Sequence, residues 1–422
     1  MSVNPQSYRD LLAKSDPTVF NALLGEEQRQ REGFELIPSE NYAFPEVLAL
    51  LGSSFTNKYA EGYPGRRYYG GTEFVDIIEN AGRERAKKLF RAEHANIQPL
   101  SGSPMNQAVY LQFIPPGETI LAMDLSHGGH LTHGAPVSHM GKIYRFVRYK
   151  TNPKDGSIDF GALREVAKAE RPKLIVCGYS SYPRDLDYSQ FQAIANEVGA
   201  LTMADVSHYG GFVAAGALKN PMDAGFDFLT TTTHKSMRGP RGGLIVCKAE
   251  HAKGIDASVF PGLQGGPHMN QVAATATALH LVDTEEFRLY ARQVLANAKA
   301  LAAELMKHNI HLVTGGTDNH LMVLDVMQSF GINGAQGEKA LDHAGITTNK
   351  QVIPDDPHPP LRPSGVRMGT PAPTSRGMKE PEMRVLAGVI AAALKQHDDA
   401  AHLAKLRAET KALCARFPVP GL

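Results

Sequence analysis

Lys235 follows four consecutive threonines and a histidine and precedes Ser-Met-Arg-Gly-Pro-Arg-Gly-Gly (236–243), a run too glycine-rich for a helix or a regular strand. A lysine so placed leaves a buried strand on the side where open α/β sheets gather ligands. Schiff-base chemistry needs an amine that can be neutral, and partial burial beside Arg238 and Arg241 would lower its pKa in that direction. Asp205 closes the apolar run Ala-Leu-Thr-Met-Ala (200–204). A carboxylate there keeps a pyridinium nitrogen protonated, which makes the ring an electron sink for a carbanion. Ser101, Gly102 and Ser103 follow an apolar strand ending near Gln98 and open a helical stretch, where hydroxyls and backbone N–H groups can hold a phosphate. Taken singly, a strand-end lysine, a Ser-Gly-Ser turn, His130 or His208 would each read as structural. Amine, carboxylate and phosphate cradle together describe a site for pyridoxal phosphate.

The elements that must position these groups follow from periodicity. Between residues 70 and 250, short β-branched runs alternate with amphipathic stretches, which predicts a mostly parallel sheet wrapped by helices. Residues 173–177 read as a strand, and Phe191, Ile194, Ala195 and Val198 mark one helix face that Gly199 terminates. Residues 200–204 and 228–233 read as strands that deliver Asp205 and His234-Lys235 at their carboxyl ends. Beyond about residue 283, a helix carrying Val294, Leu295, Ala298, Leu301 and Leu305 leads to an apolar strand over 321–324. A closing helix shows Met383, Leu386, Ala387, Ile390 and Leu394 on one face. The expected division is an N-terminal arm over 1–30, a large cofactor-binding domain over 31–283 and a small C-terminal α+β domain over 284–422. Residues 351–376, rich in Pro and Gly, read as an ordered loop that returns Arg367 to the site.

At 422 residues the chain can bury a large core and form two or three domains. Its 44 Lys+Arg balance 43 Asp+Glu, which argues against nucleic acid or a membrane surface as partner and for small molecules. Cys177, Cys247 and Cys414 lack metal-ligand spacing, so no metal site is expected and the thiols read as buried and structural. The N-terminus shows no basic segment followed by an apolar one, and no stretch of about 18 apolar residues occurs, so the expected location is the cytoplasm.

Longer motifs add a resemblance. The chain is similar to the serine hydroxymethyltransferase family through Glu-Leu-Ile-Pro-Ser-Glu-Asn (35–41), Thr-Asn-Lys-Tyr-Ala-Glu-Gly-Tyr-Pro-Gly (56–65), Arg-Tyr-Tyr-Gly-Gly (67–71) and Gly-Gly-His-Leu-Thr-His-Gly (128–134). The similarity continues through Thr-Thr-Thr-Thr-His-Lys (230–235), Arg-Gly-Pro-Arg-Gly-Gly (238–243) and Phe-Pro-Gly-Leu-Gln-Gly-Gly-Pro (260–267). The resemblance implies the aspartate-aminotransferase fold (fold type I), an α/β protein with a mostly parallel seven-stranded sheet. It also implies an obligate homodimer, or a tetramer, whose active sites draw on both subunits.

By the same resemblance Lys235 is the Schiff-base lysine, Asp205 meets the pyridine nitrogen, His130 stacks on the ring, and His208 and Ser180 serve the ring-hydroxyl side. Ser101, Gly102 and Ser103 match the phosphate cradle, completed by Gly266 of the second subunit, and Tyr59 and His234 belong to the cofactor set. Arg367, Ser39 and Tyr69 match the substrate site, where a planar guanidinium binds a carboxylate in bidentate fashion. Glu61 matches the carboxyl group that moves protons at the substrate hydroxyl and the folate, with Tyr68, Tyr69 and Thr233 nearby. Leu125, Gly129, Leu131 and Gln351 match the tetrahydrofolate site. The implied reaction breaks or makes the Cα–Cβ bond of serine, with tetrahydrofolate as one-carbon acceptor.

Departures from the family pattern cluster near the cofactor. Leu100, Pro104 and Met105 replace the usual histidine, glutamine and alanine; Ser207, Tyr209 and Gly210 alter the segment after Asp205; Gln351 replaces an asparagine. They leave open drift within a serine enzyme, a pocket reshaped for 2-methylserine with alanine as product, and a folate-independent aldolase of the 2-methylserine or threonine type. Retention of Lys235, Asp205, His130, Glu61 and Arg367 disfavours a noncatalytic binding protein.

Overall fold

The computed structural model describes residues 5–152 and 154–422; residues 1–4 of the expected N-terminal arm lie outside the described residues. The main sheet has seven strands: β1 (His94–Asn96), β2 (Thr119–Met123), β3 (Arg145–Tyr149), β4 (Leu174–Gly178), β5 (Leu201–Asp205), β6 (Phe228–Thr232) and β7 (Gly243–Cys247). Their spatial order is β1-β7-β6-β5-β4-β2-β3. Every pairing among β2 to β6 is parallel, and β7 runs antiparallel to both β1 and β6. Every residue of β2, β4, β6 and β7 is buried, as both faces of such a sheet require. The threonines of β6 satisfy that burial through their hydroxyls, Thr230 donating to Asn106 Oδ1 at 2.8 Å and Thr232 to the Ser207 carbonyl at 3.1 Å. The expected seven-stranded α/β architecture is what the chain forms.

Helix α1 (Gly102–Phe113) follows β1, and α2 (Tyr188–Val198) joins β4 to β5, ending at Gly199 with φ of 71° as its sequence predicts. Helices α3 (Met269–Val282) and α4 (Glu285–Lys307) lead to a second, antiparallel sheet of β8 (His311–Leu312), β9 (Leu321–Asp325), β10 (Asn349–Gln351) and β11 (Gly365–Gly369), ordered β8-β9-β11-β10. The main sheet has an apolar core on each face and the second sheet has one of its own; α4 joins them, with Phe287, Ala291 and Val294 packing in one core of the main sheet and Ala298, Leu301 and Leu305 in that of the second. Phe34 and Leu36 also pack in the core of the second sheet, because residues Phe34–Glu35 pair with Ile346–Thr347.

Two expectations need correction. Arg367 lies on strand β11, not in a loop; Gly365 and Gly369 there allow close backbone approach, since an added Cβ would meet Gln351 O at 2.7 Å and His320 O at 2.8 Å. The chain also does not close on α5 (Glu380–Lys395): a further helix, α6 (Ala400–Cys414), follows, and its buried Leu403, Leu406 and Cys414 join the core of the second sheet. All three cysteines are buried and free. No helix among the described residues is long and apolar enough to cross a membrane.

Candidate active site

A cavity of about 290 Å³ opens at the carboxyl ends of the parallel strands. Its walls come from each strand end in turn: His130 after β2, Ser180 after β4, Asp205 from β5, His234 and Lys235 after β6, with Ser101–Ser103 at the start of α1 and Ser39 from the N-terminal segment. The parallel topology therefore gathers residues that lie far apart in the chain.

Burial pushes the Lys235 ammonium down to about 8, with Arg367 and Arg241 adding to the effect against the pull of Asp205. The expected neighbour Arg238 is turned away: its Nε donates to the Tyr42 carbonyl at 3.0 Å and its guanidinium lies 4.4 Å from the Phe44 ring centroid. The cations that act on the amine are Arg367 and Arg241.

Asp205 is buried among donors. Asn106 Nδ2 and His133 Nε2 lie 2.8 and 3.2 Å from Oδ2, while the Ser207 N–H donates to Oδ1 at 3.1 Å. Burial alone would push this carboxyl up, but the hydrogen bond and charge of His133, with His130 and Ser207, hold it well below the usual carboxylate range. Burial lowers His130 to about 4, and its Nδ1 accepts the Thr132 N–H at 3.2 Å, so a neutral flat ring faces the cavity. His208 and His234 are likewise held neutral by burial, and each has a buried Nδ1 without a hydrogen-bond partner among the described residues.

At the helix end, Ser101 occupies the N-cap of α1 without a side-chain capping bond, leaving hydroxyls and the first N–H groups toward the cavity beside Arg241. Gly102 fits closely, since a Cβ would lie 3.0 Å from the Thr232 side chain. Arg367 is fixed by donation from Nη1 to the Ser180 carbonyl and from Nε to Asn349 Oδ1 at 3.1 Å. An amine, an ionised carboxylate, neutral imidazoles and a helix N-terminus with a cation fit the aldehyde, ring nitrogen, ring face and phosphate of pyridoxal phosphate.

The remaining expected residues fall elsewhere. Tyr59, Glu61, Tyr69 and Gly266 do not line the cavity around Lys235. They cluster with one another: the Tyr59 and Tyr69 rings are 4.9 Å apart, a Cβ on Gly266 would come within 3.0 Å of the Tyr59 ring, and one on Gly265 within 3.4 Å of the Glu61 carboxylate. Glu61 raises the Tyr59 phenol, and Tyr59, Tyr68 and Tyr69 are exposed. Thr233 is buried with its hydroxyl donating to the Pro240 carbonyl at 2.6 Å, so it braces the loop after Lys235 and does not face the cavity. Leu125 and Leu131 are exposed on two short helical turns, Leu125–His127 and Leu131–His133, on either side of Gly129. Gly129 has no room for a side chain, since a Cβ would lie 2.4 Å from the Met123 carbonyl oxygen. Gln351 ends β10 with Nε2 donating to the Val352 carbonyl at 3.1 Å.

Among Leu100, Pro104, Met105, Ser207, Tyr209 and Gly210, only Ser207 lines the cavity. Tyr209 instead stacks on Tyr179 at 4.3 Å, and Met105 is buried in the core behind α1. Sequence reasoning missed Asn106, His133 and the role of Ser207 at Asp205. The available signals were spacing: Asn106 lies one helical turn beyond Gly102, His133 one turn beyond His130, and Ser207 two residues after its acceptor.

The serine hydroxymethyltransferase family model matches residues 12–390. A relative from Acidobacterium capsulatum, named serine hydroxymethyltransferase, is 50% identical over 410 residues, covering 97% of this chain and 96% of its own length.

Proposed function

This chain belongs to the serine hydroxymethyltransferase family, and from that premise we propose that it transfers the hydroxymethyl carbon between serine and tetrahydrofolate with pyridoxal phosphate as cofactor. The observation that carries this reading is one cavity holding a buried amine at Lys235, an ionised carboxylate at Asp205 and a helix N-terminus at Ser101–Ser103. When bound, pyridoxal phosphate supplies an aldehyde for an amino group and a protonated ring that draws electron density from Cα.

The protein's part is binding, orientation and proton handling. Lys235 would hold the cofactor through its aldehyde carbon and release it to the substrate amine. Asp205 would keep the ring nitrogen protonated, His130 would face the ring, and His208 and Ser180 would serve its hydroxyl side. His234 borders the same cavity, and Ser101, Gly102 and Ser103 take the phosphate. Arg367, with Ser39, binds the substrate carboxylate and so sets which Cα bond is aligned with the ring system. Glu61 takes the β-hydroxyl proton as the Cα–Cβ bond breaks. That Glu61, Tyr59, Tyr69 and Gly266 do not line their own chain's cavity supports the reading that a second copy of the chain brings them to it and that the working unit is a homodimer. Leu125, Gly129, Leu131 and Gln351 line the approach for tetrahydrofolate. The expected cellular site is the cytoplasm.

Serine is favoured over 2-methylserine as substrate because, of Leu100, Pro104, Met105, Ser207, Tyr209 and Gly210, only Ser207 borders the cavity. Steady-state comparison of serine with both enantiomers of 2-methylserine, with and without tetrahydrofolate, tests the reading. Folate-accelerated turnover of serine is expected; clear preference for a 2-methylserine enantiomer, or indifference to folate, overturns it.

A further inference from the structure

Arg367 stands on the second sheet, whereas Lys235 and the cavity around it belong to the first. Its Nη1 donates across that divide to the carbonyl of Ser180, a residue of the cavity wall in the segment that follows β4. Asn319 spans the same divide. It lies two residues before Leu321, the first of β9, on which Val323 pairs with Arg367, and it is fully buried. The Leu321 backbone N–H donates to Asn319 Oδ1 at 3.0 Å, and since an N–H can meet only the amide oxygen, this contact fixes which way the amide faces. Asn319 Nδ2 then donates to the Tyr179 hydroxyl at 3.0 Å and to the Tyr182 carbonyl at 3.1 Å, on either side of Ser180 in the chain. Tyr179 borders the cavity and is held in turn by its stack on Tyr209, with ring centroids 4.3 Å apart. One buried amide thus gives both donors to the segment that receives Arg367 and its acceptor to the strand beside Arg367.

We propose that Asn319 is a positioning residue that sets where Arg367 stands relative to the cofactor cavity, and so how well the enzyme holds the carboxylate of its amino-acid substrate. This role rests on the assignment of Arg367 to that carboxylate. Without the two donors, Arg367 occupies the productive position for a smaller fraction of the time, so substrate affinity falls by that fraction while turnover of bound substrate changes little. The fold tolerates the loss, because the Pro183 carbonyl also receives the Asp318 N–H at 2.9 Å and the Thr317 hydroxyl at 3.2 Å, which keep the two segments joined.

The test compares N319A, which removes the amide, with Y179F, which keeps the ring on Tyr209 and removes one partner of the amide. In the holoenzyme without tetrahydrofolate, the dissociation constant for serine, titrated by the cofactor's absorbance, is expected to rise about tenfold in N319A and about threefold in Y179F. At saturating serine and tetrahydrofolate, kcat should stay within about twofold of the parent value, with pyridoxal phosphate retained equally well. R367K is the control for the carboxylate assignment, and adding N319A or Y179F to it should weaken serine binding by less than about twofold further, because the residues act on one contact. If R367K weakens serine binding and neither N319A nor Y179F does, the positioning role is overturned; full additivity in the double variants overturns it as well. If R367K leaves serine binding unchanged, the carboxylate assignment fails and this role with it. Where N319A does not fold, Y179F alone and in the R367K background decides the question. Loss of kcat and of cofactor retention in proportion to serine affinity marks a general structural defect, which also overturns the role.

Discussion

Gly178 faces Asp205 across the β4–β5 pairing so closely that a Cβ at position 178 would lie 2.0 Å from the Asp205 carbonyl oxygen. Its φ of 111° is one that only glycine adopts at low cost. Gly178→Ala therefore combines a strained backbone, roughly 1–2 kcal/mol, with an overpacked strand end, roughly 1–3 kcal/mol. The expected outcome is a fall of several degrees in apparent melting temperature and weaker retention of pyridoxal phosphate, read by thermal unfolding and cofactor titration. Gly199→Ala is the matched control, since its φ is 71° but nothing lies within 4 Å of its Cβ position. It should show only the smaller backbone cost, with cofactor binding unchanged.

Asp205 stays ionised because Asn106, His133 and Ser207 converge on it. Asp205→Asn keeps the shape and removes the charge proposed to hold the ring nitrogen protonated. Loss of one preorganised charge of this kind is expected to lower kcat about 10²–10³-fold. The lysine–cofactor absorbance band should persist, because Lys235 and the Ser101–Ser103 cradle are untouched. Parent-level kcat in this variant would remove Asp205 from the mechanism.

The sheet was legible because its inner strands are buried on both faces and read as continuous apolar or β-branched runs, and the βα alternation then places Asp205 and Lys235 at carboxyl ends without further information. Arg367 was harder. Glycines at 365 and 369 signal a turn in sequence, yet here they admit a neighbouring backbone in a strand, a distinction that depends on tertiary contacts. The same limit applies to Asn106, whose role depends on α1 packing against β6 and β7 so that its amide reaches Asp205, and to Arg238, whose direction is set by Phe44 and Tyr290 from distant segments.

Lys235 has its pKa lowered to about 8 chiefly by burial. Its reactive neutral form therefore grows with pH up to about 8 and saturates above it, whereas an ordinary lysine would continue to gain toward about 10.4. The rate at which the cofactor-free protein captures pyridoxal phosphate should rise between pH 6.5 and 8 (roughly tenfold per unit while the amine is mostly protonated) and level off beyond. Stopped-flow absorbance across that range measures it. A rate still climbing at pH 9.5 would place the amine in an exposed setting that contradicts its burial in the cavity.

The separation of Glu61 from Lys235 within one chain makes a prediction that single-site variants cannot. Glu61→Ala and Lys235→Ala should each be nearly inactive, since one lacks the proposed proton acceptor and the other the proposed cofactor-binding amine. If each cavity uses Lys235 of one copy and Glu61 of the other, a mixed dimer of the two variants contains one cavity with both defects and one with neither. Random reassortment makes about half of the dimers mixed, so an equimolar mixture, dissociated and reassociated, should regain about a quarter of parent activity. Were Glu61 and Lys235 to act within the same chain, each cavity of the mixed dimer would carry one defect, and the mixture would stay inactive. The experiment thus separates a shared site from a self-contained one by activity alone, with size-exclusion chromatography confirming that reassociation took place.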